Sequence, residues 1–198
     1  HHFLASECES RELECFNKVT GRRVRAVLPV HVFGNACPID NILALARTFG
    51  LKVIEDAACS IGVRYKGRHV GTFGDLGVIS FNGNKTITTG GGGIVLTNDA
   101  RMASRIRYLS TTAKDDALEF FHGEVGYNYR LSNIHAAVGV AQMEQLETFL
   151  SKKREIAARY AALLGSASDI TIMPSTPDTT STYWQYVVLL GPSTTLAQ

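Results

Sequence analysis

What this sequence lacks narrows its class. It has four cysteines in 198 residues, Cys8, Cys15, Cys37 and Cys59, with no C-x-x-C pair and no zinc spacing. They read as reduced, partly buried thiols of a cytoplasmic protein; a Cys8–Cys15 bridge is open but not demanded. No apolar run approaches the ~20 residues that a membrane helix needs, and no signal peptide is visible. Neither sign of charge dominates: 20 Lys and Arg stand against 18 Asp and Glu, a net +2. The basic residues are scattered, and Lys152-Lys153-Arg154 reads as one turn of a solvated helix face, so no nucleic-acid footprint is indicated. His1, His2, His69, His122 and His135 form no metal-ligand spacing. There is no internal repeat and no initiating methionine, and the chain is expected to be a piece of a longer protein.

What is present suffices for one ordinary core, with 45% of the residues hydrophobic. Arg25 to Val30 reads as a short apolar strand. Pro38 to Phe49 has helical periodicity, with Pro38 suited to the first turn and Gly50 to the stop. Leu51 to Glu55 is the next strand, so the pattern is a βαβ unit with parallel strands. Lys66-Gly67 resembles a hairpin turn. Leu76 to Phe81 and Gly93 to Thr97 are further strands, and Asn98-Asp99 can cap a helix over Ala100 to Ser110. Residues 111 to 127 form a longer loop of the kind that often carries function. A helix of about thirty residues is expected over 132–164, long enough to bridge two domains. After it, Thr171 to Met173 and Tyr183 to Leu190 look like strands on either side of a Ser/Thr/Pro-rich linker, Pro174 to Ser181. The expected division is a larger unit over 1–165 and the start of a smaller α/β unit over 166–198.

One residue stands out chemically. Lys85 follows a buried strand, and burying an ammonium is expensive. A second strand ends in Val53-Ile54-Glu55-Asp56-Ala57-Ala58, bringing a carboxylate to the same sheet edge. A lysine and an aspartate at neighbouring strand ends suggest a pyridoxal phosphate site, with the lysine condensing with the cofactor's aldehyde and the aspartate on its pyridine nitrogen. The Ser80 hydroxyl could donate to the phosphate, and Ala57 and Ala58 are small enough to let a flat ring lie close. Plainer readings stand beside these. A lysine in a Gly/Thr loop is usually exposed, Glu55-Asp56 could cap a helix or ligate a metal, and His31 reads as a core or hydrogen-bonded histidine. Gly90 to Gly93 precedes a strand and fits neither a Rossmann nor a P-loop pattern.

Taken together, these runs resemble a known family. They are Val30-His31-Val32-Phe33-Gly34, Ile54-Glu55-Asp56-Ala57-Ala58, Tyr65-Lys66-Gly67, Gly71-Thr72-Phe73-Gly74-Asp75, Ser80-Phe81, Asn84-Lys85, Thr88-Thr89-Gly90 and Gly126-Tyr127-Asn128-Tyr129-Arg130-Leu131. In this order and spacing the chain looks like a DegT/StrS-type nucleotide-sugar aminotransferase. The resemblance implies an α/β fold, the large domain of fold-type I (aspartate aminotransferase-like) pyridoxal phosphate enzymes with a mainly parallel sheet. It also implies amino transfer from an amino acid, glutamate by analogy, to a nucleotide sugar in a homodimer with a shared active site. Lys85 would be the Schiff-base lysine and general acid/base, Asp56 the partner of the pyridine nitrogen, Ser80 a phosphate contact, and Ala58 a packing surface for the ring. Asn128 would reach the phosphate of the other subunit. Cys59 would stand near the cofactor's phenolic oxygen, where many members carry Gln or His, and Gly91 replaces a frequent glutamate. Asn82-Gly83-Asn84-Lys85 and Ala113-Lys114-Asp115-Asp116 look most like the branch aminating 4-keto sugars derived from UDP-N-acetylglucosamine, for bacillosamine and legionaminic acid, with GDP-perosamine enzymes as near neighbours. A non-catalytic regulatory or structural relative is the alternative. A sugar 3-dehydratase of this fold would carry histidine in place of Lys85.

Overall fold

Residues 1–12, 14–116 and 118–192 are described by the computed structural model of the chain. A turn of π-helix at Phe3–Glu7 leads into β1 (Cys8–Arg11), β2 (Glu14–Asn17) and β3 (Arg23–Val24), an antiparallel three-stranded sheet. Cys8 and Cys15 are buried within it, and all four cysteines are free.

The main sheet begins with β4 (Ala26–Val27), which the helix α1 (Ile39–Thr48) connects to the parallel strand β5 (Lys52–Asp56). This is the expected βαβ unit. The first strand is shorter than its apolar run because Pro29 has no N–H to offer the ladder. Pairing resumes at once: Val30 bridges Asp56, and the His31 amide donates to the Asp56 carbonyl at 2.9 Å. Next comes a hairpin, β6 (Arg64–Tyr65) and β7 (Arg68–His69). Lys66 and Gly67 turn it with φ of 48° and 78°, the positive values that a two-residue primed turn requires. Then β8 (Leu76–Ser80) joins β5 in parallel, and β9 (Gly93–Leu96) closes the edge antiparallel to β8. The order across the sheet is β4-β5-β8-β9. Asp99 caps α2 (Ala100–Ser110) as expected, accepting from the Arg101 and Met102 amides at 2.8 and 3.2 Å.

The long helix expected over 132–164 is two helices, α3 (Asn133–Glu144) and α4 (Leu146–Leu164). Ser132 caps the first, but at Gln145 the amide turns to the Gln142 carbonyl (3.1 Å), a tighter i−3 bond that ends the α3 ladder. No proline or glycine marks the break. Beyond α4, β10 (Ile170–Ile172) pairs with β12 (Val188–Leu190), so only the end of the expected 183–190 strand is a strand.

The Ser/Thr/Pro-rich stretch between them is not a free linker. β11 (Thr179–Thr180) adds a third strand to the β6–β7 hairpin. Its flanks are tied to the loop after β4. Asn35 Nδ2 donates to the Pro174 carbonyl (3.1 Å), Thr176 Oγ1 to that of Ala36 (2.6 Å), and both Ser181 Oγ (2.6 Å) and the Thr182 amide (3.0 Å) to that of Gly34. Gly34 has φ of +82°, and a Cβ there would run into the Trp184 and Tyr183 amides. Hence 174–184 packs on the larger unit although it follows the expected boundary; 193–198 lie outside the described residues.

Candidate active site

Strand alternation separates Glu55 from Asp56. In the parallel β5–β8 register Asp56 lies opposite Val78, and residues two apart share a face. Ser80 therefore stands on the same face as Asp56, at the carboxyl edge where open α/β sheets place their ligands. Glu55 points the other way, into the core.

There Glu55 is an anchor. It and His31 are both 0% exposed. One carboxylate oxygen accepts from the Phe73 and Gly74 amides at 2.6 and 2.7 Å; the other accepts from the Gly71 amide at 2.8 Å and meets His31 Nε2 at 3.0 Å. His31 Nδ1 accepts from the Cys37 amide at 3.2 Å, so Nε2 carries the proton that Glu55 receives. Burial pushes the Glu55 carboxyl up, but the His31 hydrogen bond and the Gly74 and Gly71 amides outweigh it and hold its pKa below the ordinary value. The turn Gly71–Asp75 is thereby fastened to β5. His31 is the hydrogen-bonded core histidine expected from the sequence, while Glu55 neither caps a helix nor belongs to any metal-binding cluster among the described residues.

On the site face, Asp56 Oδ1 accepts from the Ala58 amide at 3.0 Å. Among the described residues no cation pairs with this carboxylate. Of the two alanines that follow, Ala57 is fully buried, so only Ala58 offers surface at the site. Ser80 Oγ accepts from the Asn82 amide at 3.2 Å, which leaves its own proton free to donate.

Lys85 sits in the turn after β8, its amide bonded to the Asn82 carbonyl at 3.0 Å. Its side chain reaches back across the edge, placing Nζ 3.3 Å from the sulfur of Cys59, three residues past Asp56. The half-buried ammonium also lies 4.1 Å from the centre of a Trp184 ring, and Trp184 Nε1 donates to the Asn84 carbonyl at 2.9 Å. No carboxylate pairs with Lys85 among the described residues. The fold thus joins two runs that are distant in sequence, Asp56-Ala57-Ala58-Cys59 and Lys85. Sequence reasoning missed Trp184, although it is the chain's single tryptophan and lies in a stretch of Ser, Thr and Tyr.

Asn128 is placed apart. It is exposed and bridges Thr111, while the Tyr127 and Tyr129 amides beside it donate to the Leu109 and Ser110 carbonyls at the end of α2. The glycine run serves the strand: the Gly92 carbonyl accepts from the Phe81 amide at 2.9 Å, and a Cβ on Gly92, whose φ is +93°, would meet Leu131.

Comparison with known proteins identifies the family. The sequence pattern of the DegT/DnrJ/EryC1/StrS aminotransferase family matches residues 10–197. GDP-perosamine synthase of Escherichia coli O157:H7 is 42% identical over 172 residues, which cover 87% of this chain and 46% of that protein. EpsN of Bacillus subtilis (strain 168), provisionally named a pyridoxal phosphate-dependent aminotransferase, is 43% identical over 167 residues, covering 84% of this chain and 43% of its own length. Among solved structures, the aminotransferase TlmJ from Streptoalloteichus hindustanus matches with a TM-score of 0.81 at 32% identity, over 87% of this chain and 48% of that one. The chain spans less than half the length of these relatives. Its architecture is the aspartate aminotransferase-like α/β fold that the resemblance implied. By sequence and by fold, the chain belongs to the DegT/DnrJ/EryC1/StrS aminotransferase family.

Proposed function

We propose that this chain carries the cofactor-anchoring part of a pyridoxal phosphate-dependent aminotransferase that moves an amino group from an amino acid, glutamate by analogy, to a 4-keto nucleotide sugar. The observation that carries the reading is the meeting of Lys85 with the segment after the Asp56 strand end: an amine that pairs with no carboxylate among the described residues lies 3.3 Å from Cys59, three residues past a carboxylate with an oxygen to spare. These residues fit the cofactor. An aldehyde needs an amine unencumbered by an ion pair, a pyridine nitrogen needs a carboxylate, and a phosphate needs donors. Lys85, Asp56 and Ser80 supply these, Ala58 offers a small surface, and Cys59 lines the space between. When bound, pyridoxal phosphate supplies the electron sink for the carbon–nitrogen bond changes.

The residues of the chain would do the rest. Lys85 would hold the cofactor covalently and, once freed by the donor, would serve as the general acid/base that takes the proton from the donor's α-carbon and delivers it to the cofactor. Asp56, oriented by the Ala58 amide, keeps the ring nitrogen protonated. Ser80 accepts from Asn82 and donates onward. Asn128, exposed on its bridge, completes the phosphate contacts of a second copy, so the working unit is a cytoplasmic homodimer serving surface-polysaccharide biosynthesis. From residue 166 a smaller C-terminal unit would begin, with the β10–β12 pair as its first strands, while 174–184 stays docked on the larger unit. The Asn82-Gly83-Asn84-Lys85 run favours a UDP-linked 4-keto sugar as acceptor. The identity with GDP-perosamine synthase favours a GDP-linked one as the second reading.

The test uses the full-length protein. Borohydride reduction should fix the cofactor to the Lys85 peptide in a mass map. Lys85→Ala should lose transamination by about a thousandfold or more while still binding pyridoxal phosphate. Retained transamination in that variant overturns the assignment, and assays with UDP- and GDP-linked 4-keto sugars separate the two acceptors.

A further inference from the structure

Trp184 makes two contacts with one loop. Its ring lies over Lys85 Nζ at 4.1 Å, and its Nε1 donates to the Asn84 carbonyl at 2.9 Å. The first contact restrains the amine and the second restrains the backbone immediately before it. Trp184 is itself mounted firmly. Lys153 Nζ donates to its carbonyl at 3.2 Å, Arg154 Nε donates to the Ser181 carbonyl at 3.3 Å, and Ser181 and Thr182 are fastened to Gly34. The other neighbour of the amine is Cys59, whose sulfur is a weak acceptor. With no carboxylate on Lys85 among the described residues, the indole is its strongest restraint. An ion pair would have to be broken before the amine could react. A π face holds an ammonium in place without satisfying its hydrogen bonds.

We propose that Trp184 is a positioning residue for Lys85: it parks the charged amine toward the Asp56 edge, free of any ion pair, and it does so from the segment that follows α4. The inference rests on reading Lys85 as the reactive amine. It makes the placement of that amine depend on the docking of 181–184 against Gly34.

The experiment compares full-length wild type, Trp184→Leu and Trp184→Phe. In cofactor-free protein, brief acetylation with an N-hydroxysuccinimide ester is mapped by mass spectrometry, with exposed Lys52 as internal reference. Loss of the indole should raise Lys85 labelling relative to Lys52 about fivefold in Trp184→Leu and about twofold in Trp184→Phe, which keeps a ring but loses the N–H donor. In the loaded enzyme kcat should fall about tenfold in Trp184→Leu, with KM for both substrates within about twofold, and Trp184→Phe should recover most of the loss. An unchanged Lys85:Lys52 ratio in either variant that retains the wild-type melting curve overturns the proposal. So does a raised ratio with an unchanged kcat. If Trp184→Leu fails to fold, Trp184→Phe alone decides by the same two readouts. Should the wild type bind no pyridoxal phosphate, the aminotransferase reading falls, and the labelling ratio by itself upholds or overturns the clamp.

Discussion

Glu55 is a buried carboxylate whose oxygens face three backbone amides and one imidazole. Replacing it by glutamine turns one acceptor oxygen into a donor that faces other donors. Glu55→Gln should therefore destabilise the protein by about 3 kcal/mol, seen as an earlier denaturation midpoint with unchanged slope. The pH dependence has a defined sign. The folded pKa of Glu55 is lowered from 4.5, so its contribution is fully present above that value and is lost as pH falls through the folded value. Wild type should lose thermal stability on acidification below about pH 4.5, and Glu55→Gln should show a shallower loss. Asp75 keeps some slope in both: burial raises its pKa, but the Lys52 hydrogen bond and the Val53 amide lower it further. An identical acid profile in the variant would remove Glu55 from the account. The neighbouring residue has the opposite fate, since the same strand presents Asp56 to the site face with an oxygen left over.

Among the elements, α4 is anchored at few points. It buries only Leu150 and Ala157, and Leu150 packs where a Cβ on Gly62 would clash. Leu150→Ala should cost about 3 kcal/mol and speed proteolysis around 174–184, which α4 fastens through Lys153 and Arg154. Equal protease resistance would show that α4 does not brace that segment. The elements that could be read from sequence are those set by local chemistry. The β6–β7 turn needed Lys66-Gly67 at positive φ, α2 needed Asp99 as its cap, and the parallel strands needed apolar runs around a helix. What could not be read was set by distant partners. The stop at Gln145 has no Gly or Pro to announce it, and β11 is a strand only because β6 lies beside it. The candidate site divided in the same way. Lys85, Asp56 and Ser80 stood at strand ends that periodicity revealed, whereas Trp184 reaches Lys85 through the docking of a segment that reads as linker.

At the scale of the whole molecule, apolar side chains lie open on several sides. Phe120 is 87% exposed, and Phe121, Val125, Ile134, Val140 and Met143 are also exposed. Leu28, Val30 and Val32 are uncovered at the head of the main sheet. Apolar exposure on this scale promotes association. The 198-residue stretch produced by itself should bind anilinonaphthalene sulfonate strongly and sediment as a mixture of sizes, while the full-length protein should do neither. Weak dye binding by the isolated stretch would mean that these faces repack among themselves. The pairing of β11 with β6 also decides where relatives can be recombined. A chimaera with its crossover at Gly165 imports a foreign strand into the hairpin sheet and a foreign side chain above Lys85. A crossover beyond Trp184 leaves both native, so the two chimaeras would separate the influence of the segment that follows from lysine placement.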